Sequence, residues 1–351
     1  MCGIWFVSTF NCQNLTSFNS IKHRGPNNSI VKMLGNYSLG FHRLSINDTS
    51  KNGDQPMQNN SYVWICNGEI YNWKDISEQF GIKCTGSSDC EIIGKLFQIF
   101  NKDMQTFCNL LDGVFAIVIL SKSGEIYACR DKIGVRPMFY GYDSQNKICF
   151  ASEMKGLMEV CETIIEFPPG SFYSSQTDSF NKFSHISKPL QYNPFSKDTL
   201  SHLLIASVKK RFLSDVPLGF FLSGGLDSSL ICSIGSYLSD TPIHTFSIGI
   251  GQSPDAYHAN VVANYLNTKH SEITFTVQEG IDTIEKVIYS LESYDCTTIR
   301  ASVPMYLMSN YVKSNTNIKV ILSGEGADEL FGGYLYLHNA PTSEDFETET
   351  L

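Results

Sequence analysis

The stretch 217-PLGFFLSGGLDSS-229, in which an apolar run ends in a glycine-rich turn, decides the fold of the second half of the chain. The run has the length of a buried strand, and a helix is predicted to begin at about Ser228. The two glycines let backbone N–H groups approach an anion closely, and the positive end of the helix dipole adds to the attraction. Because the GxxxxGK[ST] pattern is absent, this is not the phosphate loop of kinases and GTPases.

Around this stretch the sequence alternates between helical and strand patterns. Helices are predicted at 199–212, 228–239, 257–267, 278–291 and 303–315, and strands at 217–222, 243–250 and 318–323. Such alternation is typical of a parallel sheet with helices on both faces. We therefore expect the second half to be a parallel α/β domain.

A second loop of the same shape, 323-SGEGADE-329, follows the last predicted strand and carries several carboxylates. The carboxyl ends of parallel strands meet at one edge of a sheet, where ligands bind. A carboxylate beside phosphates needs a divalent cation between them. The two loops together predict one Mg²⁺–nucleotide site, although two glycine turns that merely begin helices are the alternative reading.

The first half of the chain has a different pattern of predicted secondary structure. Short strand patterns separated by Gly and Asn predict a largely antiparallel sheet with helices packed outside it. A polar segment rich in Ser and Asn then precedes the α/β pattern. We predict a first domain at 1–173, a linker at 174–198 and a second domain at 199–351.

Composition excludes several classes of function. The net charge of −9 argues against a surface for nucleic acid or anionic membranes, and no apolar run approaches the length of a membrane span. The N-terminus lacks the pattern of a secretory signal. The 11 cysteines are odd in number and contain no CxxC pair, so we expect reduced thiols and a cytoplasmic protein.

The chain begins MCGIWFV, which places a cysteine directly behind the initiator methionine. A single cysteine is most often a small buried core residue. If Met1 is removed, however, Cys2 carries a thiol and a free α-amine, whose reference pKa of about 8 suits a base near neutral pH. The stretch alone leaves both readings open.

Motifs between Met1 and about Ala340 resemble those of a known family, and this resemblance favours a catalytic Cys2 over a core residue. The chain contains CGIW, 23-HRGPN-27, 64-WICNGEIYN-72, 87-SSDCE-91, 130-RDKIGVRPMFYG-141, the SGGLDSS loop and the SGEGADE loop. In this combination it resembles the family of glutamine-hydrolysing asparagine synthetases. The resemblance implies an α/β protein of two domains: an αββα sandwich of the N-terminal-nucleophile (Ntn) hydrolase type, followed by a Rossmann-like parallel α/β domain of the ATP-pyrophosphatase type.

The resemblance also implies the site residues. The catalytic group would be Cys2 as nucleophile, with Asn67 and Gly68 as oxyanion donors. The glutamine-binding residues would be Arg43, Leu44, Ser45, Ile46, Asn47, Asn67, Gly68, Glu69 and Asp89. The ATP-binding residues would be Leu222, Ser223, Gly224, Gly225, Asp227, Ser228, Ser229, Ile248, Ser323 and Gly324. Glu325 would serve β-aspartyl-AMP formation, and Asp227 and Asp328 would hold Mg²⁺.

The implied reaction has two stages: the first domain releases ammonia from glutamine, and the second joins aspartate to AMP and lets ammonia form asparagine. The expected partners are glutamine, aspartate, ATP and Mg²⁺, without nucleic acid or membrane. A homodimer or a complementing C-terminal segment is also expected, because family members continue beyond the GGY at 332–334.

Because the sequence stops soon after this GGY, we expect the apolar side chains around 330–337 to be uncovered. We also expect asparagine synthesis to be weak unless a C-terminal segment is supplied. Two alternatives therefore stay open: a chain that only hydrolyses glutamine, and a non-catalytic regulatory remnant. A smaller departure from the family is Asn27, which stands where an aspartate is usual.

Overall fold

The computed structural model describes residues 1–9, 14–184, 194–251 and 253–350. The chain divides into two compact units, Met1–His185 and Ile186–Leu351. Of the helices in the described ranges, none is both long and apolar enough to cross a membrane.

The first unit contains twelve strands and four α-helices in its described ranges. The strands are β1 (Gly3–Val7), β2 (Asn28–Leu34), β3 (Tyr37–Arg43), β4 (Met57–Gln58), β5 (Tyr62–Ile70), β6 (Gly113–Ser121), β7 (Ile126–Arg130), β8 (Phe139–Asp143), β9 (Ile148–Ala151), β10 (Cys161–Glu166), β11 (Ser171–Ser174) and β12 (Ser179–Lys182). The helices are α1 (Asn14–Ser20), α2 (Trp73–Gln79), α3 (Ile92–Ile99) and α4 (Met104–Leu110).

These strands form two antiparallel six-stranded sheets, with the orders β10-β8-β9-β1-β3-β2 and β12-β11-β7-β6-β5-β4. Successive side chains of a strand point to opposite faces, so β1 contributes to two apolar layers, one on each face of its sheet. Ile4 and Phe6 pack against the second sheet, whereas Trp5 and Val7 pack beneath α1. The outer face of the second sheet packs against α3 and α4 through a further apolar cluster. The unit is thus the expected αββα sandwich.

The second unit is built on a parallel sheet. Its strands are β13 (Leu218–Phe221), β14 (His244–Ile250), β15 (Lys269–Phe275) and β16 (Val320–Leu322). Its helices are α5 (Lys197–Lys210), α6 (Leu226–Leu238), α7 (Pro254–Leu266), α8 (Val277–Leu291), α9 (Cys296–Asn315), α10 (Ala327–Phe331) and α11 (Ser343–Thr350). The strand order is β15-β14-β13-β16, and all pairs are parallel.

Apolar clusters cover both faces of this sheet. Phe220 of β13 packs with Cys232 and Ala259 of α6 and α7, and Phe246 of β14 packs with Met308 of α9. The chain runs outward from β13 through β14 to β15 and then returns to place β16 on the other side of β13. This reversal is the topological switch point at which open α/β sheets bind ligands. The expected Rossmann-like domain is confirmed.

The structure differs from the predicted linker at 174–198 at both ends. Ser179–Lys182 forms β12, an edge strand paired with β11 in the first unit, and α5 already begins at Lys197. Three of the four residues of β12 are polar, so its sequence shows too little hydrophobic alternation to be told from a loop. The remaining part of the predicted linker, 185–193, lies outside the described residues.

The expected apolar surface near the end of the chain is confirmed for four side chains, whereas Leu337 in the same stretch is buried. Leu330 is 76% exposed, Phe331 57%, Leu335 84% and Tyr336 67%.

Candidate active sites

A cavity of about 50 Å³ in the first unit lies where β1 begins, where β3 ends and along one edge of β5. It brings together nine of the residues that the sequence predicts for the glutaminase site: Cys2, Arg43, Leu44, Ile46, Asn47, Asn67, Gly68, Glu69 and Asp89. Ser45 is not among the lining residues. Its backbone N–H donates instead to Oδ1 of Asn27 over 3.0 Å, so the unusual asparagine has a structural role here.

The Cys2 thiol sits against the backbone of Leu44. The Leu44 N–H donates to Sγ over 3.4 Å, and the thiol can donate to the Leu44 carbonyl over 3.6 Å. Burial raises the pKa of the Cys2 thiol, since a thiolate loses solvation there. Arg24 Nε donates to the Cys2 carbonyl over 2.9 Å, which fixes the backbone just before β1.

The amino group of Met1 is desolvated, and this burial lowers its pKa to about 5. An amine at this place is therefore neutral near pH 7 and able to accept a proton. When Met1 is removed, the α-amine of Cys2 becomes the chain terminus one residue further on, beside its own thiol.

Two donors on β5 face the same cavity. Asn67 is 1% exposed, and its Nδ2 has no hydrogen-bond partner among the described residues. The N–H groups of Cys66 and Ile70 bond to side chains at the edge of β5 away from β6. Alternate residues of a strand direct their N–H groups to the same edge, so the N–H of Gly68 points there as well. A buried amide nitrogen without an acceptor beside a thiol is suited to an oxyanion.

Gly68 also has a steric reason to be glycine. A Cβ at this position would lie 2.3 Å from the Val114 carbonyl oxygen on the neighbouring strand β6. No side chain can be placed there without moving the backbone, so the strand pairing and the donor at Gly68 depend on the same residue.

Asp89 supplies a buried carboxylate at the other end of the cavity. It is 3% exposed, and Oδ2 accepts the Ile70 N–H over 2.7 Å while Oδ1 accepts from Asn47 Nδ2 over 3.4 Å. Burial raises its pKa to about 6, because the backbone hydrogen bond offsets only part of the lost solvation. A cationic group in the cavity would stabilise the ionised form.

Arg43 lines the cavity, but its terminal nitrogens are already occupied. Nη1 donates to the Ser50 carbonyl over 2.6 Å and pairs with Asp54 over 2.7 Å, and Nη2 donates to the Asp48 carbonyl. A contact from Arg43 to a substrate carboxylate would have to use Nε or displace one of these partners. Such a contact stays a prediction.

Several lining residues were missed by sequence reasoning: Met1, Phe41, Gly53, Gln55, Cys66, Ser88, Cys90 and Arg136. Gln55 binds both backbone groups of Cys66, which no local pattern reveals. Arg136 lies within the quoted stretch RDKIGVRPMFYG, so that motif was the available signal.

A second cavity, of about 320 Å³, lies in the second unit at the switch point between β13 and β16. It brings together ten of the predicted residues: Leu222, Ser223, Gly225, Asp227, Ser228, Ile248, Ser323, Gly324, Glu325 and Asp328. Its apolar wall includes Phe246, Met305 and Met308, which the sequence did not single out.

The N-terminus of α6 faces this cavity. Its N-cap, Gly225, has no side chain to satisfy the first N–H groups, and the hydroxyls of Ser223 and Ser228 lie 2.9 Å apart beside them. A Cβ on Gly324 would come within 2.9 Å of the Ser228 nitrogen, so glycine lets the two loops approach each other. The arrangement fits an anion such as a phosphate.

Two predicted residues lie outside the lining. Gly224 has φ +81°, and a Cβ there would lie 2.4 Å from the Ala259 nitrogen, so it packs the loop against α7. The Ser229 hydroxyl is buried and has no partner among the described residues.

The second cavity is acidic. Five of its lining residues are carboxylates, Asp227, Asp255, Glu325, Asp328 and Glu329, and no lysine, arginine or histidine is among the described residues that line it. No group of three or more potential metal ligands occurs within the described ranges. The donor set therefore suits Mg²⁺ that is held by one or two carboxylates together with substrate phosphates.

Family models match both halves of the chain. A family model for a glutamine amidotransferase domain matches residues 1–185, and one for asparagine synthase matches residues 199–350. The chain is 41% identical to "Asparagine synthetase [glutamine-hydrolyzing] 1" of Lotus japonicus, over 100% of this chain and 63% of that protein. It is 42% identical to the form 2 enzyme of Oryza sativa subsp. japonica, over 94% of this chain and 58% of that protein.

A further relative, the asparagine synthetase [glutamine-hydrolyzing] of Sandersonia aurantiaca, is 41% identical over 100% of this chain and 70% of its own length. Among solved structures, the glutamine phosphoribosylpyrophosphate amidotransferase of B. subtilis has a TM-score of 0.45 at 17% identity, over 79% of this chain and 65% of that one. The chain spans about three fifths of the length of the first two relatives.

Proposed function

The chain belongs to the family of glutamine-hydrolysing asparagine synthetases, and from this premise we propose that it transfers the amide nitrogen of glutamine to aspartate with ATP. In this proposal residues 1–173 are the core of the glutaminase domain, which extends to the end of the first unit, and residues 199–351 contribute to the synthetase domain.

Glutamine hydrolysis would take place in the 50 Å³ cavity. The Cys2 thiol gives its proton to the free α-amine, and Sγ attacks the side-chain carbonyl carbon of glutamine. Ammonia leaves after taking up the proton, and water hydrolyses the thioester to glutamate. Asp89 would bind the substrate α-ammonium, and Arg43 its α-carboxylate.

The observation that carries this part of the proposal is the Asn67 side chain. Its Nδ2 is buried without a partner among the described residues, and Asn67 lines the same cavity as Cys2. Leaving such a donor unpaired costs about 1–3 kcal/mol, a cost that an oxyanion in the cavity would remove. Together with the Gly68 N–H, it forms a pair of donors for the tetrahedral intermediate.

Asparagine formation would take place in the 320 Å³ cavity. The N-terminus of α6 and the hydroxyls of Ser223 and Ser228 would hold the ATP phosphates. The aspartate β-carboxylate attacks the α-phosphorus and expels pyrophosphate, and ammonia then displaces AMP from the β-aspartyl carbon. Glu325 would serve the formation of β-aspartyl-AMP.

Asp227 and Asp328 would hold Mg²⁺, which when bound neutralises phosphate charge in this acidic cavity.

The synthase-domain match at 199–350 and the size of the cavity favour synthesis over a chain that only hydrolyses glutamine. None of the ten cysteines within the described ranges forms a disulfide, which supports a reducing, cytoplasmic setting.

The proposal is tested with the full chain, glutamine carrying heavy nitrogen in its amide, aspartate, ATP and Mg²⁺. We expect the heavy nitrogen in the amide of asparagine, formed more slowly than glutamate is released, with AMP and pyrophosphate in equal amounts. Heavy ammonium and glutamate without asparagine would refute the synthetase part, and no glutamate at all would refute the glutaminase part.

A further inference from the structure

Arg136 lies on the loop between β7 and β8, and its side chain lines the same cavity as Met1 and Cys2. The proposed mechanism gives it no role. The loop carries a second cation, Lys132, which is exposed and is not part of the cavity lining. The two residues therefore carry the same charge on one loop but differ in their access to the thiol.

The loop is rigidly built around the carboxylate of Asp131. Oδ1 accepts the N–H groups of Ile133, Gly134 and Val135 over 3.2, 2.7 and 3.0 Å. Oδ2 accepts the Arg136 N–H over 3.1 Å, and Arg130 Nε donates to the Arg136 carbonyl over 2.8 Å. Both backbone polar groups of Arg136 are therefore held, which fixes the base of the side chain at the cavity wall.

Arg136 differs from the other arginines of its unit in having no carboxylate partner within the described ranges. The others are each paired: Arg24 with Glu153, Arg43 with Asp54 and Arg130 with Glu166. The Nε of Arg136 is buried and makes no hydrogen bond to any described residue. A buried guanidinium nitrogen without an acceptor is costly, so the site has a place for negative charge that forms during a reaction.

We propose that Arg136 acts on Cys2 electrostatically, favouring the thiolate over the thiol and stabilising the negative charge that passes to the substrate carbonyl oxygen. This inference rests on the proposed glutaminase function. The thiol proton goes to the α-amine of Cys2, and the positive charge of Arg136 stabilises the thiolate that is left. Arg136 thus acts through the nucleophile and need not bind the carboxylate of glutamine.

Other charged or titratable groups also affect the thiol and the amine. With Met1 in place, its amine and the Cys2 thiol affect each other, Arg24 and Glu69 act on the Met1 amine with opposite signs, and Cys66 opposes ionisation of the thiol. Arg136 lowers the pKa of the Cys2 thiol and of the Met1 amine, and for the thiol this opposes the larger effect of burial. Removing its charge should therefore raise the pKa of the Cys2 thiol further, in the same direction as burial.

The test measures alkylation of Cys2 by iodoacetamide, a neutral reagent, across a range of pH in the full chain. Fragmentation of the N-terminal peptide in the mass spectrometer separates Cys2 from Cys12, which lies on the same tryptic peptide. Arg136→Gln should move the midpoint of the rate profile to higher pH and slow alkylation at pH 7 by about tenfold, which corresponds to roughly one pKa unit. Arg136→Lys should retain most of the rate, and Lys132→Gln should match the unaltered protein.

The same variants are assayed for glutamine hydrolysis, in which Arg136→Gln should lower kcat with little change in KM. An unchanged alkylation midpoint with a raised KM would overturn the proposal and make Arg136 a substrate-binding residue. If Arg136→Gln does not fold, Arg136→Met keeps the aliphatic stem and gives the same comparison. If the unaltered protein is alkylated at Cys2 but hydrolyses no glutamine, the proposed function fails while the effect of Arg136 on the thiol is still measured.

Discussion

Asp89→Asn should make the protein more stable and bind glutamine less well. The carboxylate is buried, and its pKa is raised to about 6 from an ordinary value of 3.8. An asparagine has nearly the same shape, and its oxygen can still accept the Ile70 N–H that now lies 2.7 Å from Oδ2. The substitution therefore removes the buried charge and keeps the hydrogen bond to Ile70, while the longer 3.4 Å hydrogen bond from Asn47 is lost.

The sign of the stability effect follows from proton binding. Between pH 3.8 and 6 the folded protein holds a proton at Asp89 that the unfolded chain has released. The free energy of unfolding therefore falls as the pH rises through this window, and above it the ionised carboxylate costs about 3 kcal/mol. Asp89→Asn should recover up to that amount at pH 8 and little at pH 4.

The assay is urea unfolding followed by tryptophan fluorescence. The three tryptophans stand at positions 5, 64 and 73, so their emission reports on the first unit alone. Glu159→Gln, which changes an exposed carboxylate in the same unit, is the control and should shift stability by no more than about 0.5 kcal/mol at either pH. A variant Asp89→Asn that is destabilised at pH 8, or whose effect is the same at both pH values, would refute the reasoning.

The same variant should weaken glutamine binding, although it stabilises the fold. Losing the partner of a buried ammonium costs about 2–5 kcal/mol, so the KM for glutamine should rise about 30-fold or more. In the unaltered protein the KM should also rise as the pH falls below about 6, because Asp89 then takes up a proton. A KM that stays constant across this range would show that Asp89 does not hold the α-ammonium.

Three further predictions concern the two cavities. Asn67→Ala should lower kcat for glutamine hydrolysis by roughly a hundredfold with a smaller change in KM, measured as glutamate release. Gly324→Ala should reduce aspartate-dependent exchange of pyrophosphate into ATP by about tenfold or more, because the added Cβ would lie 2.9 Å from the Ser228 nitrogen, while glutamine hydrolysis is unchanged. Arg43→Ala should destabilise the first unit by about 3 kcal/mol in the fluorescence assay, because it leaves Asp54 and the two carbonyls without their donor.

Elements with strong local signals could be predicted from the sequence. The apolar run before SGGLDSS is β13, and the turn leads into α6 as expected. Edge strands carried no such signal. β12 has the mostly polar sequence SFNK, and β15 is half-exposed with the sequence KHSEITF. Their existence depends on pairing with a neighbouring strand that no local pattern reveals.

Some residues of the candidate sites could be predicted from sequence motifs, and others could not. Cys2, Asn67 and Asp89 lie in short distinctive motifs, and the structure brings all three to one cavity. Gln55 and Arg136 reach that cavity only through long-range packing, Gln55 by binding the backbone of β5 and Arg136 through the loop that Asp131 organises. Their contribution depends on tertiary geometry, which residue type and spacing do not contain.

The central claim is that Cys2, as the free amino terminus, is the nucleophile that attacks glutamine. The most direct measurement is mass spectrometry of the N-terminal peptide after the full chain is mixed with glutamine and quenched in acid. We predict a glutamyl group bound to Cys2 on a peptide that lacks Met1, and its absence in Cys2→Ala together with loss of glutamate release. Glutamate formed at an undiminished rate by Cys2→Ala, or a glutamyl group on another residue, would contradict the account.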